Sequence, residues 1–428
     1  DPPDIEPPEV TRALFYGLGA DGTVSSNKAA IRIIGESTDL FCQGHFVYDS
    51  KKSGSTTVSH LRFGPNPIRS TYEIRHAPLI AIHDPGFVDK YDVLERAAEG
   101  VTVLLNTPVA AVGVWDSLPR EFQTTLLARR GRLFVIDASR IAEAAGLGGR
   151  INTVMQVCFF ALAKVLPLDT ALTRIKQSVA DVWGKRGAEV IRRNNAAIDG
   201  ALAGLSEVTL PDRTGSTRGL RPMVPPDADD FARRVTRLLL EGHGDRLPVS
   251  AFTPDGTWPT GTGKLERRAI APEIPVWEPD LCVQCNRCST ICPHSALRTV
   301  VFEPADAANA PAAFRQVDET ATPELAGLRY TVQVAPDDCT GCGLCVDECP
   351  AKDRRQPRRK ALNLQPVAAH REREREAWDF LTTLPPVERA RIPRDAKSLA
   401  LLPPLFEFSG ACAGCGETPY IRLLTQLF

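Results

Sequence analysis

Short apolar runs alternate with longer amphipathic stretches through the first half of the chain. Runs rich in branched and aromatic residues predict strands at 13–16, 79–82, 101–105 and 133–136. Helical spacing of apolar positions predicts helices at 27–34 and 91–99, and a longer helical set at 152–205 with a break at Pro167. Strands separated by helices predict an α/β domain with a mostly parallel sheet, and we assign it to residues 10–205.

The second half of the chain changes in composition. Residues 206–277 are rich in Pro, Gly and Arg, with an amphipathic helix predicted at 229–241, and form a small α+β linking domain. Cysteines crowd residues 278–366, and a charged connector follows at 367–402. The closing segment, 403–428, is interpreted as the start of a further α/β domain. The first residue is not Met, and an apolar-periodic stretch continues to the last residue, so we expect a piece of a longer polypeptide.

Composition narrows the class of protein. A chain of 428 residues predicts about two to four domains. The formal net charge of −1 argues against a nucleic-acid or membrane partner, because both usually require a basic face. No apolar run is long enough to span a membrane. A cytoplasmic protein is expected. Of the 12 cysteines, most fall in the last third of the chain at short fixed spacings, which is not the distribution of a disulfide scaffold.

A duplicated cysteine motif is the strongest chemical signal. The pattern C-x2-C-x2-C-x3-C-P starts at Cys282 and again at Cys339. In such motifs three cysteines hold three corners of one cluster, and the fourth binds the other cluster. The first predicted [4Fe-4S] set is therefore Cys282, Cys285, Cys288 and Cys349. The second predicted set is Cys339, Cys342, Cys345 and Cys292.

Zinc is the competing interpretation of this motif, because zinc sites also use C-x2-C pairs. Zinc modules do not usually supply a third cysteine two residues later and a fourth before proline. We therefore predict a two-cluster ferredoxin-like α+β domain at 278–366 that carries electrons one at a time.

A glycine-rich loop follows the first predicted strand. Residues 17–22 satisfy G-x-G-x-x-G, a turn that brings backbone N–H groups close to a diphosphate. A NAD site also needs an acid after the next strand, and Asp49 is the candidate. Lys51 and Lys52 follow Asp49 and favour an additional phosphate, so coenzyme A fits at least as well as NAD. A glycine turn that binds nothing is the remaining interpretation.

These motifs, together with Cys412-Ala-Gly-Cys415-Gly-Glu417 near the end, resemble the pyruvate:ferredoxin (flavodoxin) oxidoreductase family. The similarity runs nearly end to end and includes 48–54, 59–64, 146–152 and 247–252. In that family a long polypeptide, working as a homodimer, converts pyruvate and coenzyme A to acetyl-CoA and carbon dioxide. The resemblance implies thiamine diphosphate with Mg²⁺, three [4Fe-4S] clusters, and ferredoxin or flavodoxin as the electron acceptor.

The resemblance also implies roles for individual residues. The implied coenzyme A site comprises Gly19, Ala20, Asp21, Gly22, Thr23, Lys51, Asn152 and Asn194. Cys412 and Cys415 would be two of four ligands of the third cluster, and Glu417 would lie at the thiamine diphosphate site. The closing 403–428 would then begin the thiamine-diphosphate-binding domain. Most catalytic groups are expected outside this chain.

Two other functions remain open from the sequence. One is an oxidoreductase with the same core that acts on another 2-oxoacid or delivers electrons to NADP. The other is a non-catalytic electron-transfer module in which a NAD-binding α/β domain is joined to a ferredoxin.

Overall fold

The computed structural model describes residues 5–19 and 21–428. By its internal contacts the chain divides into two compact units. The first comprises the residues up to Ser50 together with Ser55–Pro222, and the second comprises Lys51–Gly54 together with Met223–Phe428. Within the described ranges, every helix is too short or too polar to cross a lipid bilayer.

The described part of the first unit contains one seven-stranded sheet with the order β2-β3-β1-β4-β5-β6-β7. The strands are β1 (Thr11–Leu18), β2 (Phe41–Tyr48), β3 (Thr56–Gly64), β4 (Ala77–Ile82), β5 (Ala97–Asn106), β6 (Arg132–Ile136) and β7 (Ser206–Val208). The neighbours β1, β4, β5 and β6 pair in parallel. Because β3 is antiparallel to both β1 and β2, the strand β2 also runs in this common direction. The sheet is therefore mostly parallel, as predicted, with β3 and β7 reversed.

Helices cover both faces of this sheet. They are α1 (Thr23–Ser37), α2 (Phe87–Lys90), α3 (Ala111–Ser117), α4 (Arg120–Ala128), α5 (Ala138–Ala144), α6 (Asn152–Ala163), α7 (Leu168–Trp183) and α8 (Ala188–Gly204). Alternate residues of β1 enter different cores: Phe15 packs with Phe159 of α6, and Leu14 belongs to the core that contains Trp115 of α3. The predicted helical set at 152–205 is confirmed, and Pro167 directly precedes α7.

The four predicted strands are confirmed within β1, β4, β5 and β6, but the helix predicted at 91–99 is wrong. The chain turns there instead, with the Val93 N–H donating to the Tyr91 carbonyl and the Ala97 N–H to the Leu94 carbonyl. Val93, Leu94 and Ala97 are all buried. The spacing of the apolar residues therefore predicted correctly which side chains are buried, although it predicted the wrong backbone conformation. Tight turns bury the same positions that a helix would, and β5 then begins at Ala97.

The second unit is α+β. Its strands are β8 (Glu273–Trp277), β9 (Leu297–Phe302), β10 (Val317–Asp318), β11 (Arg329–Val334) and β12 (Leu362–Pro366). The strands form an antiparallel sheet β10-β11-β9 and an antiparallel pair β12-β8. Its α-helices are α9 (Arg237–Leu240), α10 (Arg287–Ile291), α11 (Leu344–Asp347), α12 (Val367–Leu381), α13 (Ala396–Leu399) and α14 (Thr418–Leu427). The helix predicted at 229–241 is present as a helical segment, Ala232–Thr236, that continues into α9.

Candidate metal centres and ligand loop

Two cavities in the second unit are each lined by four motif cysteines. One is lined by Cys282, Cys285, Cys288 and Cys349, with about 310 Å³ of space free of protein atoms that is partly open to solvent. The other is lined by Cys292, Cys339, Cys342 and Cys345, with about 380 Å³ of such space. We call these the first and second cysteine sets. Each set combines three cysteines of one motif with the fourth cysteine of the other, which is the grouping expected from the spacing.

Two short helices produce this exchange. Cys288 lies on α10 and Cys292 directly follows that helix, while Cys345 lies on α11 and Cys349 follows it. The helices α10 and α11 pack against each other. Each fourth cysteine is therefore carried away from its own loop and reaches the cavity formed by the other motif.

The two cysteine loops share an unusual backbone. Gln284 and Asn286 in the first motif have φ of 52° and 57°, and Gly341 and Gly343 occupy the same two positions of the second motif with φ of 67° and 79°. Glycine adopts this left-handed conformation readily, whereas a residue with a side chain does so at a cost. The first motif therefore needs compensating interactions that the second does not.

Hydrogen bonds from the side chains of Gln284 and Asn286 supply that compensation. The Gln284 amide donates to the Asp318 carbonyl over 2.7 Å, and the Asn286 amide donates to the Lys397 carbonyl over 3.0 Å. Asn286 also accepts a hydrogen bond from the Tyr330 hydroxyl at 2.9 Å. Both side chains are buried. Sequence reasoning missed these two residues, although aligning the two motifs would have matched them with glycines.

The chemistry of the two sets fits iron–sulfur clusters. Burial raises the pKa of the Cys339 thiol to about 12, and neighbouring cysteines contribute to the rise. Burial also raises the pKa of Cys288 well above its usual range, again with repulsion from neighbouring cysteines. Backbone N–H groups of Gln284 and Gly341 approach the sulfurs of Cys282 and Cys339 at 3.4 Å. Four crowded cysteines around one space can all become thiolates only if positive charge lies among them, and iron ions would provide that charge.

The cysteine pair near the end of the chain, Cys412 and Cys415, is more accessible to solvent than the buried cysteines of the two sets. Cys412 is exposed and Cys415 is half-buried, just before α14. Hydrogen bonds from the backbone N–H groups of Glu417 and Thr418 hold the pKa of Cys415 below its usual range. Glu417 itself is exposed at the start of the helix.

This segment lies beside the second cysteine set. A Cβ atom added at Gly414 would be 3.9 Å from the Cβ atom of Cys342. His294, which lines the second cavity, has its Nδ1 atom 3.2 Å from the Ser409 hydroxyl, and its carbonyl accepts from the Phe408 N–H at 2.8 Å. The second set is thus the one in contact with the segment that carries Cys412.

The glycine loop of the first unit is organised by Asp21. Its carboxylate accepts hydrogen bonds from the backbone N–H groups of Leu18 and Thr23, both at 2.8 Å. Gly22 has φ of 85° and needs the freedom of glycine. The Thr23 N–H, which a simple phosphate cradle would present to a ligand, is therefore already used within the loop. Ala20 lies outside the described residues.

His83 and Asn106 extend this site, and sequence reasoning missed both. The Thr23 hydroxyl lies 2.7 Å from Nδ1 of His83, and the Asn106 amide donates to the His83 carbonyl at 2.9 Å. Burial lowers the pKa of His83 to about 4, so the imidazole is neutral near pH 7. Among the described residues its Nε2 atom has no hydrogen-bond partner. The sequence offered one signal for both residues, because each directly follows a predicted strand, where the polar residues of an α/β binding site are often found.

The strand order of the sheet indicates that this glycine loop lies where a ligand can bind. After β1 the chain moves to β2 and β3 on one side, whereas β4 leads to β5 and β6 on the other. The crevice outside the carboxyl ends of β1 and β4 is therefore a topological switch point, where α/β sheets bind ligands. Asp49 follows β2, and β3 lies between β2 and β1. Two strand spacings, about 10 Å, separate β2 from β1, so Asp49 is not on the neighbouring strand that a NAD site uses.

Several residues implied for coenzyme A lie next to the loop. A Cβ atom added at Gly22 would be 3.1 Å from Cγ of Asn152, the first residue of α6. Asn194 accepts a hydrogen bond from the hydroxyl of Thr153 at 3.3 Å. The structure thus gathers Gly22, Asn152 and Asn194 in one neighbourhood. Lys51 belongs to the other unit, where it forms an ion pair with Glu266.

Family models match three consecutive parts of the chain. Residues 12–204 match a model described as pyruvate ferredoxin/flavodoxin oxidoreductase. Residues 217–271 match a domain of unknown function, and residues 281–352 match a 4Fe-4S dicluster domain. The dicluster match covers both cysteine motifs.

Curated relatives match almost the whole chain. The pyruvate-flavodoxin oxidoreductase of Nostoc sp. is 50% identical over 432 residues, covering 99% of this chain and 36% of the relative. The probable pyruvate-flavodoxin oxidoreductase of Escherichia coli is 48% identical, covering 97% of this chain and 35% of the relative. The pyruvate:ferredoxin oxidoreductase of Moorella thermoacetica is 45% identical, covering 99% and 36%. The chain thus spans about a third of the length of these relatives.

Proposed function

Because the chain belongs to the pyruvate:ferredoxin (flavodoxin) oxidoreductase family, we propose that it supplies the coenzyme A site and the electron exit of a 2-oxoacid oxidoreductase. The reaction is the conversion of pyruvate and coenzyme A to acetyl-CoA and carbon dioxide, with ferredoxin or flavodoxin as acceptor and a homodimer as the working form. The observation that carries the proposal is the pair of cavities lined by the crossed cysteine sets.

Each cysteine set is proposed to hold one [4Fe-4S] cluster. Bound clusters supply one-electron transfer, and thiamine diphosphate with Mg²⁺ supplies the electron sink for decarboxylation. The cysteines would hold the clusters in position, while Gln284 and Asn286 hold the first loop in its left-handed turns. Cys412 and Cys415 are proposed as half of a third ligand set, with Glu417 directed to thiamine diphosphate.

The neighbours of each set support one order of electron transfer. The contacts of Gly414 with Cys342, and of Ser409 with His294, support the second set as the first acceptor after Cys412 and Cys415. The first set would then receive the electron and pass it to the external carrier. Its fourth cysteine, Cys349, leads directly into an exposed loop, which supports this direction.

Coenzyme A is proposed to bind at the switch point of the first unit, through Gly19–Thr23, Asn152 and Asn194. Lys51 is included in the proposal on the family resemblance alone. The role of Asp21 in this proposal is to shape the loop, since its carboxylate is bonded to two loop N–H groups. His83 orients the Thr23 hydroxyl and leaves a buried Nε2 atom for a ligand. The division of the chain into domains at 10–205, 206–277, 278–366, 367–402 and 403–428 is also part of the proposal.

Steady-state reduction of a viologen dye tests the function. We expect the complete iron–sulfur-loaded protein, of which this chain is proposed to be a part, to reduce the dye in sustained turnover only when pyruvate and coenzyme A are both present, since coenzyme A accepts the acyl group. The measurement is dye absorbance under anaerobic conditions with each substrate omitted in turn. A turnover rate that is indifferent to coenzyme A would overturn the proposal.

The exposed loop after Cys349 is expected to guide the electron acceptor. Arg354, Arg355 and Arg358 are exposed there, and a cluster of positive charge attracts an acidic carrier such as a ferredoxin. Replacing all three by serine is expected to slow reduction of the carrier about tenfold at low salt, since steering effects of this kind start near tenfold. The viologen rate should not change, because a small dye needs no docking surface.

A control for this loop removes the same charge elsewhere in the unit. Arg233, Arg234 and Arg237 are exposed on the helical segment that includes α9, and their replacement by serine should leave carrier reduction unchanged. The measurement is the second-order rate constant for the carrier as a function of ionic strength. Equal losses in the two triple variants, or a loss that persists at high salt, would contradict docking at the loop.

A further inference from the structure

Arg422 is a buried arginine on α14 that the proposed function leaves unexplained. Only 3% of its surface is exposed. Its guanidinium donates hydrogen bonds to the carbonyl oxygens of Ser289 and Thr290. Within the described residues its Nε atom has no hydrogen-bond partner. Burying a long cationic side chain in this way is costly, so its position calls for a functional reason.

The two carbonyls belong to the helix that joins the two cysteine sets. Ser289 and Thr290 lie on α10, between Cys288 of the first set and Cys292 of the second. Burial lowers the pKa of Arg422, whereas attraction to Cys292 raises it. An arginine remains protonated in proteins, so a full positive charge lies within electrostatic range of a ligand of the second set.

This charge is not neutralised by a carboxylate in the described part of the chain. The neighbouring Arg298 forms an ion pair with Glu407, which cancels most of its field. Arg422 is held by neutral carbonyl oxygens instead. Its burial also limits screening by salt, so its field acts at nearly full strength on nearby groups.

We propose that Arg422 raises the reduction potential of the cluster held by the second cysteine set, and so makes that cluster an effective electron acceptor. This inference rests on the proposed iron–sulfur function. Reduction adds one electron to the cluster and one unit of negative charge, and no bond is formed or broken. A fixed cation stabilises the reduced form more than the oxidised form, which shifts the potential upwards.

The position of Arg422 links this effect to the preceding electron carrier. Cys415 lies in the turn that leads into α14 and Arg422 lies on that helix, so a proposed ligand of the third cluster and the cation belong to one short segment of the chain. The cation thus lies on the side from which the electron arrives. Arg422 is a positioning and tuning residue here, since it touches the peptide between ligands and not the reacting atoms of the substrate.

Potentiometric titration of the iron–sulfur-loaded protein, followed by electron paramagnetic resonance, tests the inference. In Arg422→Gln we expect the reduction equilibrium of one cluster to fall about tenfold, which for a one-electron couple is a shift of about 59 mV to lower potential. Arg422→Met, which fills the same space without a charge, should show the same shift. Arg422→Lys keeps the charge and should retain most of the original potential, although it loses the planar fork of donors.

The matched control is Arg389→Gln. Arg389 is exposed and donates to the Leu427 carbonyl of the same helix at 2.8 Å, so its loss tests the helix contact without a buried charge. No potential should move in this variant. Unchanged potentials in both neutral variants at equal iron content would overturn the inference, as would an equal shift in Arg422→Lys. Failure of the unsubstituted protein to bind clusters would instead refute the proposed function itself.

Discussion

Replacing Cys349 by alanine is expected to remove the cluster that depends on Cys282, Cys285 and Cys288, although Cys349 belongs to the other motif. The reason is that Cys349 lines the first cavity and not the second. A cubane cluster with three thiolates is labile, so about four of the eight irons of the paired-cluster unit should be lost. The measurement is iron and sulfide content, together with the loss of magnetic interaction between two neighbouring reduced clusters.

Two further variants test the crossed grouping of the cysteines, one at the other fourth cysteine and one at a cysteine outside both sets. Cys292→Ala should remove the other cluster, because Cys292 lines the second cavity. Cys42→Ala changes a half-buried cysteine of the first unit and should leave the iron content unaltered. If Cys349→Ala and Cys345→Ala abolished the same cluster and spared the other, each motif would hold its own cluster and the crossed grouping would be wrong.

The effect of Cys349→Ala on turnover tests which cysteine set passes electrons to the external carrier. If the first set passes electrons to the carrier, its loss should nearly abolish reduction of a ferredoxin or flavodoxin. A small viologen can still accept electrons from the remaining cluster, so dye reduction should decline much less. Equal losses with both acceptors would contradict the proposed order.

The cysteine grouping was predictable because the motif is a local pattern with a strict geometric requirement. Three thiolates two residues apart can occupy three corners from one loop, and the fourth corner must come from elsewhere. The left-handed turns at Gln284 and Asn286 were harder to predict. Their conformations are stabilised by distant partners such as Lys397, and only the glycines of the second motif showed that the backbone needs positive φ there.

In the sheet of the first unit, the central strands could be predicted from the sequence, but the edge hairpin could not. The central strands are buried on both faces and therefore appear as continuous apolar runs, as in β4. The edge strand β2 contains Phe41, Tyr48 and other exposed positions, so its sequence lacks that pattern, and the β2–β3 hairpin was not predicted. The glycine loop after β1 was identified from its glycines. The use of the Thr23 N–H by Asp21 depends on a side-chain orientation that the motif does not encode.

Replacing Gly17 by alanine is expected to weaken binding of coenzyme A at least tenfold, which corresponds to about 1.4 kcal/mol. An added Cβ atom would lie 2.6 Å from Cβ of Thr23, well inside van der Waals contact. Thr23 cannot move aside easily, because it is fully buried and its hydroxyl is 2.7 Å from His83. The first turn of α1 must then shift, and overpacking of this kind costs about 1–3 kcal/mol of stability.

Calorimetric titration with coenzyme A and with NAD, alongside thermal unfolding, measures this effect. Gly149→Ala is the matched control, and its affinity should be unchanged. Among the described residues, none apart from Gly149 and its two chain neighbours has a heavy atom within 4 Å of the added Cβ atom. A folded Gly17→Ala variant with normal coenzyme A affinity would show that the ligand binds elsewhere. Selective binding of NAD by the unsubstituted protein would favour the dinucleotide module instead. The separation of β2 from β1 by β3 argues for the coenzyme A outcome, because it removes the acid that a NAD ribose requires.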